Sequence, residues 1–188
     1  MLFKSIFRTL AVVALVGEAV EALTLRRLSR AKVLKLRKKV QSCKRVLHIT
    51  IIHPRQLSAD PDTDIEADVQ SIIDDLSRDL IPETQNVDPF TDADADFPGF
   101  WDEFSGLTGD VNTLLTDLKG NANAANTGLG QAMGLANMLK TFNSDWNTYV
   151  QGVDRQTPDS VNTQIESTLD DTDADFEAAI EALYAGFA

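Results

Sequence analysis

The chain has 188 residues, a formal net charge of −12 and a single cysteine, Cys43. This length predicts one domain with appendages, and one cysteine excludes an internal disulfide. The charge is divided unevenly, since residues 1–58 carry thirteen Lys/Arg and two acids, and residues 59–188 carry four Lys/Arg and twenty-seven acids. Residues 59–188 are acidic enough to repel nucleic-acid phosphates, so we expect no nucleic-acid partner.

Residues 1–22 have the pattern of a secretory signal peptide. Lys4 and Arg8 precede an apolar run that ends at Gly17, and small residues follow up to Ala22. The run is shorter than the roughly 20 residues that a membrane span needs. We therefore expect cleavage, a secreted extracellular protein and no transmembrane span in the mature chain.

Residues 23–58 form a basic segment in which leucines, valines and Cys43 recur at roughly helical spacing. Three interpretations stay open. The segment is a basic arm that binds a membrane surface or a polyanion, a pro-segment released at Lys44-Arg45, or an error of the gene model, because its composition shares nothing with that of residues 59–188. His48 and His53 have no acid near them, so neither is expected to bind a ligand or take part in catalysis.

The acidic body, residues 59–188, begins with an amphipathic series within 63–81. Thr63 and Glu66 form a capping-box pair before it, and Pro82 stops it. Its apolar positions lie on one face of a helix: Ile65, Val69, Ile72, Ile73, Leu76 and Leu80.

The stretch TDADADFPGFWDE, residues 91–103, has two interpretations. As a calcium loop it places acids at the ligand positions, with Glu103 at the twelfth. The sixth position requires a glycine, however, and holds Phe97, followed by Pro98. The alternative needs no exception, because Asp94 and Asp96 precede a helix with Pro98 at its first position. We therefore predict a helix start.

Two further apolar series keep the helical period. The first ends at Lys119-Gly120, a cation and a glycine typical of a helix C-terminus, and is weakened locally by Gly106 and Gly109. Its members are Phe100, Phe104, Leu107, Val111, Leu114, Leu115 and Leu118. The second predicts a long helix with Leu129, Met133, Ala136, Leu139, Phe142, Trp146, Val150 and Val153 on its apolar face.

The last helix is predicted to start with Thr157 as its cap and Pro158 at its first position. Thr172 interrupts its apolar stripe of Val161, Ile165, Leu169, Phe176, Ile180, Leu183 and Phe187. The body has no alternating strand pattern of useful length. We therefore predict an all-α fold, an antiparallel bundle of four to five amphipathic helices, preceded by a signal peptide and a basic segment.

The body contains neither histidine nor cysteine. The usual nucleophile-base pairs, zinc sites and thiol chemistry are therefore unavailable to it. No phosphate-binding glycine loop or nucleophile elbow occurs either. We expect a protein that is not an enzyme and that needs no metal or cofactor.

The C-terminal half carries a family resemblance in LANMLKTFNSDWNTYVQGV and TPDSVNTQIESTLDDTDADFEAAIEALY. Over residues 60–188, and most strongly over the last fifty, it is similar to the fungal hydrophobic surface-binding protein A family and the Mp1-type cell-wall galactomannoproteins. Asp173-Ala174-Asp175-Phe176, Ala179-Ile180 and Tyr184 match the signature of that family's last helix. The resemblance implies a secreted bundle, in some relatives associated with the cell wall, that adsorbs to hydrophobic surfaces or holds a fatty acyl ligand, in relatives sometimes assisting a secreted hydrolase.

We accordingly predict that the apolar helix faces bind the lipid or hydrophobic surface. The predicted lipid-binding residues are Leu114, Leu118, Met133, Leu139, Phe142, Trp146, Ile165, Leu169, Phe176 and Ile180. The alternative is a secreted, effector-like interaction module whose acidic surface meets a basic partner protein.

Overall fold

The computed structural model describes residues 30–47, 65–85, 89–91, 93–122 and 129–185, and in these ranges the chain is all-α. Five helices among the described residues form the bundle: α1 (30–47), α2 (Ile65–Asp75), α3 (Phe97–Gly120), α4 (Leu129–Asp154) and α5 (Asn162–Ala185). A π-helical turn, Leu76–Leu80, continues α2, and short 3-10 turns cover Glu83–Gln85 and Asp159–Val161. The predicted helical bundle is confirmed.

The first predicted series divides into α2 and the π-helical turn. The backbone N–H of Ile81 donates to the carbonyl oxygen of Leu76, five residues earlier, at 2.9 Å. All six predicted apolar positions are buried, from Ile65 to Leu80. Thr63 of the predicted capping box lies outside the described residues.

The stretch at 91–103 contains the predicted helix start. α3 begins at Phe97, with Pro98 in its first turn, and Asp96 precedes it without a side-chain capping bond. Asp94 instead accepts a hydrogen bond from the backbone N–H of Thr91 at 2.7 Å. The helix then continues without interruption to Gly120.

The start of the last helix differs from the prediction. The Thr157 hydroxyl donates to the carbonyl oxygen of Asp154 at 3.1 Å, so this side chain completes α4 and does not cap α5. Pro158 precedes the 3-10 turn, and α5 begins only at Asn162. The predicted cap was wrong because the carbonyl groups at the end of α4 are also unpaired and lie closer to Thr157. Phe187, the last predicted stripe residue, lies outside the described residues.

Contacts between the helices show that consecutive helices alternate in direction. Phe142 of α4 meets Phe176 of α5, and further along α4 Asn147 meets the earlier residue Asp173, so these two helices are antiparallel. α3 packs on α5, and α2 packs on α4. α1 contacts both α2 and α3 and completes the ring.

α1 lies inside the basic segment, residues 23–58, for which the sequence left three interpretations open. Its apolar face shares the core with the acidic body through Val33, Leu36, Val40, Cys43 and Leu47, each at most 1% exposed. The sequence placed Cys43 outside the body, whereas the structure buries it in this core. The predicted signal peptide, residues 1–22, lies outside the described residues.

Ion pairs beside the apolar face of α1 join this helix to α3. The guanidinium of Arg37 donates to Asp110 at 2.8 Å and lies 3.3 Å from the carboxylate of Glu103. Lys44 also reaches Asp110, at 3.3 Å. A Cβ atom at Gly106 would collide with the Arg37 guanidinium, so the glycine is what lets the arginine approach the helix.

Ion pairs and a hydrogen bond also join the other side of α1 to α2. Lys39 lies 2.7 Å from a carboxylate oxygen of Asp75 and donates to the Ser71 hydroxyl at 2.8 Å, and Lys35 lies 3.4 Å from the same carboxylate. The charge division seen along the sequence is therefore a contact in the fold, because a cationic helix fills the space between two anionic ones.

Candidate functional site

The predicted lipid-binding residues lie mainly in the interior between α3, α4 and α5. Seven of them are 0% exposed: Leu114, Leu118, Leu139, Phe142, Trp146, Ile165 and Phe176. Leu169 and Ile180 are partly buried and pack against this core. Met133 does not join them, since its side chain is 48% exposed. The remaining nine form one connected apolar interior.

Aromatic side chains connect this interior to one end of the bundle. Ring contacts of 5.0–6.5 Å between centroids run unbroken along the series Phe90, Phe97, Trp101, Phe104, Tyr149, Trp146, Phe142 and Phe176. Each contact lies in the range favoured by aromatic pairs. The aromatic series leads from the start of α3 to the middle of α5.

A recess lies at this end of the bundle, where α1 and α3 begin and α4 ends. Its empty volume is about 210 Å³, including its open mouth, and it is lined by Val33, Leu80, Glu83, Thr84, Phe100, Tyr149 and Gln156. Phe90 closes over the same end, stacked on Phe100 at 5.1 Å, and its N–H donates to the Gln156 carbonyl oxygen at 2.6 Å.

Two polar atoms in the recess wall have no hydrogen-bond partner among the described residues. They are the hydroxyl of Tyr149, a side chain that is 1% exposed, and Oε2 of Glu83. Burial, and secondarily the nearby Glu83 carboxylate, raise the pKa of Tyr149, so its hydroxyl remains protonated. The other carboxylate oxygen of Glu83 is paired with Lys32.

The remaining polar groups of the wall are occupied. The Gln156 side-chain amide donates to the Thr84 carbonyl oxygen at 2.5 Å, and the Thr84 hydroxyl donates to the Ile81 carbonyl oxygen at 2.8 Å. These bonds hold the Glu83–Gln85 turn against the end of α4. Among the described residues, the recess wall therefore contains one donor group and one acceptor oxygen without a partner, both closed off from solvent in this conformation.

The size of the recess limits what it holds in this conformation. Most of the 210 Å³ is open mouth, and the enclosed part has room for about one water molecule. A hydroxyl-sized group fits there, but an alkyl chain requires the aromatic series and the helices behind it to separate.

The sequence did not identify the recess. Tyr149 follows the predicted Trp146 by three residues and lies on the same helix face, so its position was predictable. The position of Val33 was not predicted, because the helical spacing in the basic segment was interpreted as an arm or a removable segment. Glu83 and Thr84 lie in a short turn, whose position depends on tertiary contacts.

The described part of the chain gives little support to metal binding, thiol chemistry or a membrane span. No group of three or more His, Cys, Asp or Glu side chains there is arranged to hold a metal ion. Burial raises the pKa of the Cys43 thiol to about 12, which leaves it protonated and unreactive. Within the same ranges, no helix combines the length and apolar character needed to cross a membrane.

The fold is that of the Mp1-type lipid-binding domains. The chain matches the structure of AfMp4p in complex with palmitic acid with a TM-score of 0.59 at 16% identity, over 80% of this chain and 99% of that one. It matches ligand binding domain 2 of the Penicillium marneffei MP1 protein, in complex with arachidonic acids, with a TM-score of 0.62 at 14% identity, over 83% and 94%. Domain 1 of the same protein, with arachidonic acids, gives 0.60 at 12% identity, over 85% and 94%. No protein-family model and no curated protein sequence matches.

These matches extend beyond the acidic body. A share of 80% of the 188 residues is about 150 residues, whereas residues 59–188 number 130. The likeness in fold therefore includes residues before 59. This agrees with the position of α1, which packs as a helix of the bundle.

Proposed function

We propose that this protein is a secreted, non-enzymatic lipid-binding protein that holds an alkyl chain between α3, α4 and α5. One observation carries the proposal: an apolar, aromatic-lined interior leads to a polar recess in a fold whose solved neighbours were found with palmitic and arachidonic acids.

Elementary energetics support an alkyl ligand. Each CH₂ group removed from water contributes about 0.8 kcal/mol, so a long chain gains roughly 10 kcal/mol before ordering costs. The only cysteine, Cys43, cannot form an internal disulfide. No disulfide therefore links the helices, and non-covalent contacts permit them to separate around a chain.

The ligand-contacting residues in this proposal are the nine buried or half-buried positions predicted from the sequence. Met133, the tenth, contacts a hydrophobic surface from outside or makes no contact. Adsorption to such a surface would expose the same interior, because the large apolar side chains exposed in the described structure, Leu34, Met133 and Tyr184, are scattered singly.

Secretion, association with a fungal cell wall and assistance to a secreted hydrolase are parts of the same proposal, and they rest on the signal-like N-terminus and the family resemblance. Intact mass of the protein exported by its native host tests secretion and maturation together. Secretion predicts loss of residues 1–22, and our proposal further predicts that α1 is retained.

Lipid binding is tested with delipidated protein, a fluorescent fatty acid and octyl-coated beads. We expect saturable fluorescence and depletion of the protein by the beads. Phe142→Ala alters the interior and should change the ligand's apparent affinity, whereas Met133→Ala, on the same helix but exposed, should leave it unchanged. Absence of both fluorescence and depletion would exclude the proposal.

A second function, a protein-interaction module, is supported by the outer face of α5. This helix contains no lysine or arginine, and five of its acids are exposed: Glu166, Asp170, Asp171, Glu177 and Glu181. Such a surface suits a basic partner protein. A pull-down of the basic partner that weakens with added salt and does not change with added lipid would favour this function over lipid binding.

A further inference from the structure

We propose that the recess formed by Tyr149 and Glu83 selects lipids with a neutral hydroxyl head group over ionised fatty acids. The inference rests on the proposed lipid-binding function and names the head-group class that this chain prefers. It concerns residues outside the predicted lipid-binding set.

The first step is the hydrogen-bonding pattern of the recess wall. The Tyr149 hydroxyl donates, and Oε2 of Glu83 accepts, and neither has a partner among the described residues. An alcohol fits both, because its oxygen accepts from Tyr149 while its O–H donates to Glu83. A buried polar group gains most from a ligand that satisfies it.

The second step concerns charge. An ionised carboxylate cannot donate to Glu83 and would bring a second negative charge beside it, which costs energy in a buried site. The single positive charge of Lys32 already balances that of Glu83, so a ligand carboxylate would leave this group of three charges with one net negative charge. The Gln156 amide donates to the backbone of the Glu83–Gln85 turn. Among the described lining residues, the recess therefore has no second cation and no cluster of free donors for a carboxylate.

The third step is the direction of the alkyl chain. Behind the recess, the Tyr149 ring contacts the Trp146 ring at 5.9 Å and the Phe104 ring at 6.1 Å. A head group at Tyr149 thus places the first carbons against the aromatic series that leads to Phe142. Fatty alcohols, sterols and monoacylglycerols all combine a hydroxyl group with an apolar body.

The experiment compares three ligands of equal chain length, 1-decanol, decanoate and methyl decanoate, by displacement of the neutral probe N-phenyl-1-naphthylamine at pH 8, where decanoate is ionised. We expect wild-type protein to bind 1-decanol at least about tenfold more tightly than decanoate, because the alcohol makes two hydrogen bonds and avoids the charge repulsion. The affinity for methyl decanoate, which accepts hydrogen bonds but does not donate them, should lie between the other two affinities.

Two substitutions separate the contributions. Tyr149→Phe should weaken 1-decanol binding about three- to tenfold, the value of one hydrogen bond, and Tyr184→Phe, at an exposed tyrosine, should not. Glu83→Gln should strengthen decanoate binding and reduce the preference for the alcohol, whereas Glu177→Gln should leave both unchanged. Thermal unfolding checks that each variant is folded.

The outcomes distinguish the two proposals. Equal affinity for all three ligands, unaffected by Tyr149→Phe, would contradict the head-group inference while leaving lipid binding intact. Tighter binding of decanoate than of 1-decanol would also contradict the head-group inference and leave lipid binding intact. Failure of all three ligands to displace a bound probe, or of the probe itself to bind, would overturn both proposals.

Discussion

At the scale of single residues, glycines inside helices have very different surroundings. A Cβ atom at Gly152 of α4 would overlap the Thr84 side chain, whereas one at Gly109 of α3 would meet nothing within 4 Å. Thr84 lines the recess, and its hydroxyl is fixed to the Ile81 carbonyl oxygen. Gly152 therefore permits the Glu83–Gln85 turn to pack closely on α4.

This contrast predicts substitutions of opposite sign. Gly109→Ala should raise the free energy of unfolding by about 0.5–1 kcal/mol, because alanine favours the helix. Gly152→Ala gains the same helix preference but overpacks against Thr84, at a cost of about 1–3 kcal/mol, so we expect net destabilisation. Urea unfolding measures both changes. An equal gain at the two positions would show that the turn does not pack against Gly152.

Asp110 of α3 accepts hydrogen bonds from Arg37, Gln41 and Lys44 of α1. Burial by itself would raise the pKa of Asp110, but these three bonds together hold it below its ordinary value. The folded protein thus binds a proton at Asp110 less readily than the unfolded chain. The resulting stabilisation is complete above the unfolded pKa of about 3.9 and is lost as the pH falls through the lower folded pKa.

Asp110→Asn should therefore lower the free energy of unfolding at pH 7 by about 1–2 kcal/mol, the effect of removing one partner of a partly buried charge network. The difference from wild type should shrink as the pH falls below about 4. Asp102→Asn, at an exposed position of the same helix, controls for the change in net charge. A difference that stays constant down to pH 2 would contradict this role of the network.

Whether the sequence could predict the burial of a residue depended on the surroundings of that residue. The burial of Phe142, Trp146 and Phe176 could be predicted, because each lies on the apolar stripe of a long amphipathic helix. Met133 lies on the same predicted stripe and is exposed, since its position near the start of α4 depends on packing that periodicity does not specify. Thr172 interrupts a stripe and yet is buried, because its hydroxyl donates to the Thr168 carbonyl oxygen at 2.7 Å and lies 3.2 Å from the side-chain oxygen of Asn112.

At the scale of elements, α1 is the helix that the sequence described least well. Its basic composition suggested an arm or a removable segment, but its apolar face contributes five residues to the common core. Composition alone could not reveal this, because the acids that pair with Arg37, Lys39 and Lys44 lie 36 to 73 residues further along the chain. The ion pairs become evident only when the helices are adjacent.

A chain that begins at residue 59 should consequently lose cooperative folding. Removal of α1 exposes the apolar surface that packs on Leu36, Val40 and Leu47 and leaves Asp75 and Asp110 without their cations. We expect a broad thermal transition and binding of a hydrophobic dye, both signs of loosened packing. A truncated chain as cooperative as the full one would show that α1 is dispensable for the fold.

Salt provides a milder test of the same element. Partly exposed ion pairs weaken as the Debye length shortens to about 3 Å at 1 M salt. The destabilisation caused by Asp110→Asn should therefore be smaller in 1 M sodium chloride than in 50 mM. The destabilisation caused by Gly152→Ala, which involves no charge, should be the same at both concentrations.

At the scale of the whole molecule, the helical bundle was predictable because its apolar stripes keep the helical period over most of the body. The recess was not, since its wall combines residues of α1, α3, α4 and the turn after α2. At 12–16% identity, the matched structures share the arrangement of helices with this chain. The head-group preference must therefore be determined on this protein's own side chains.

The central claim is that an alkyl chain enters the interior beside Trp146. The chain has two tryptophans, so Trp101→Phe leaves the fully buried Trp146 as the only one. Titration of this variant with a lipid brominated in mid-chain should quench its fluorescence in a saturable manner. If the lipid binds but Trp146 is not quenched, the ligand lies outside the interior and the account is wrong.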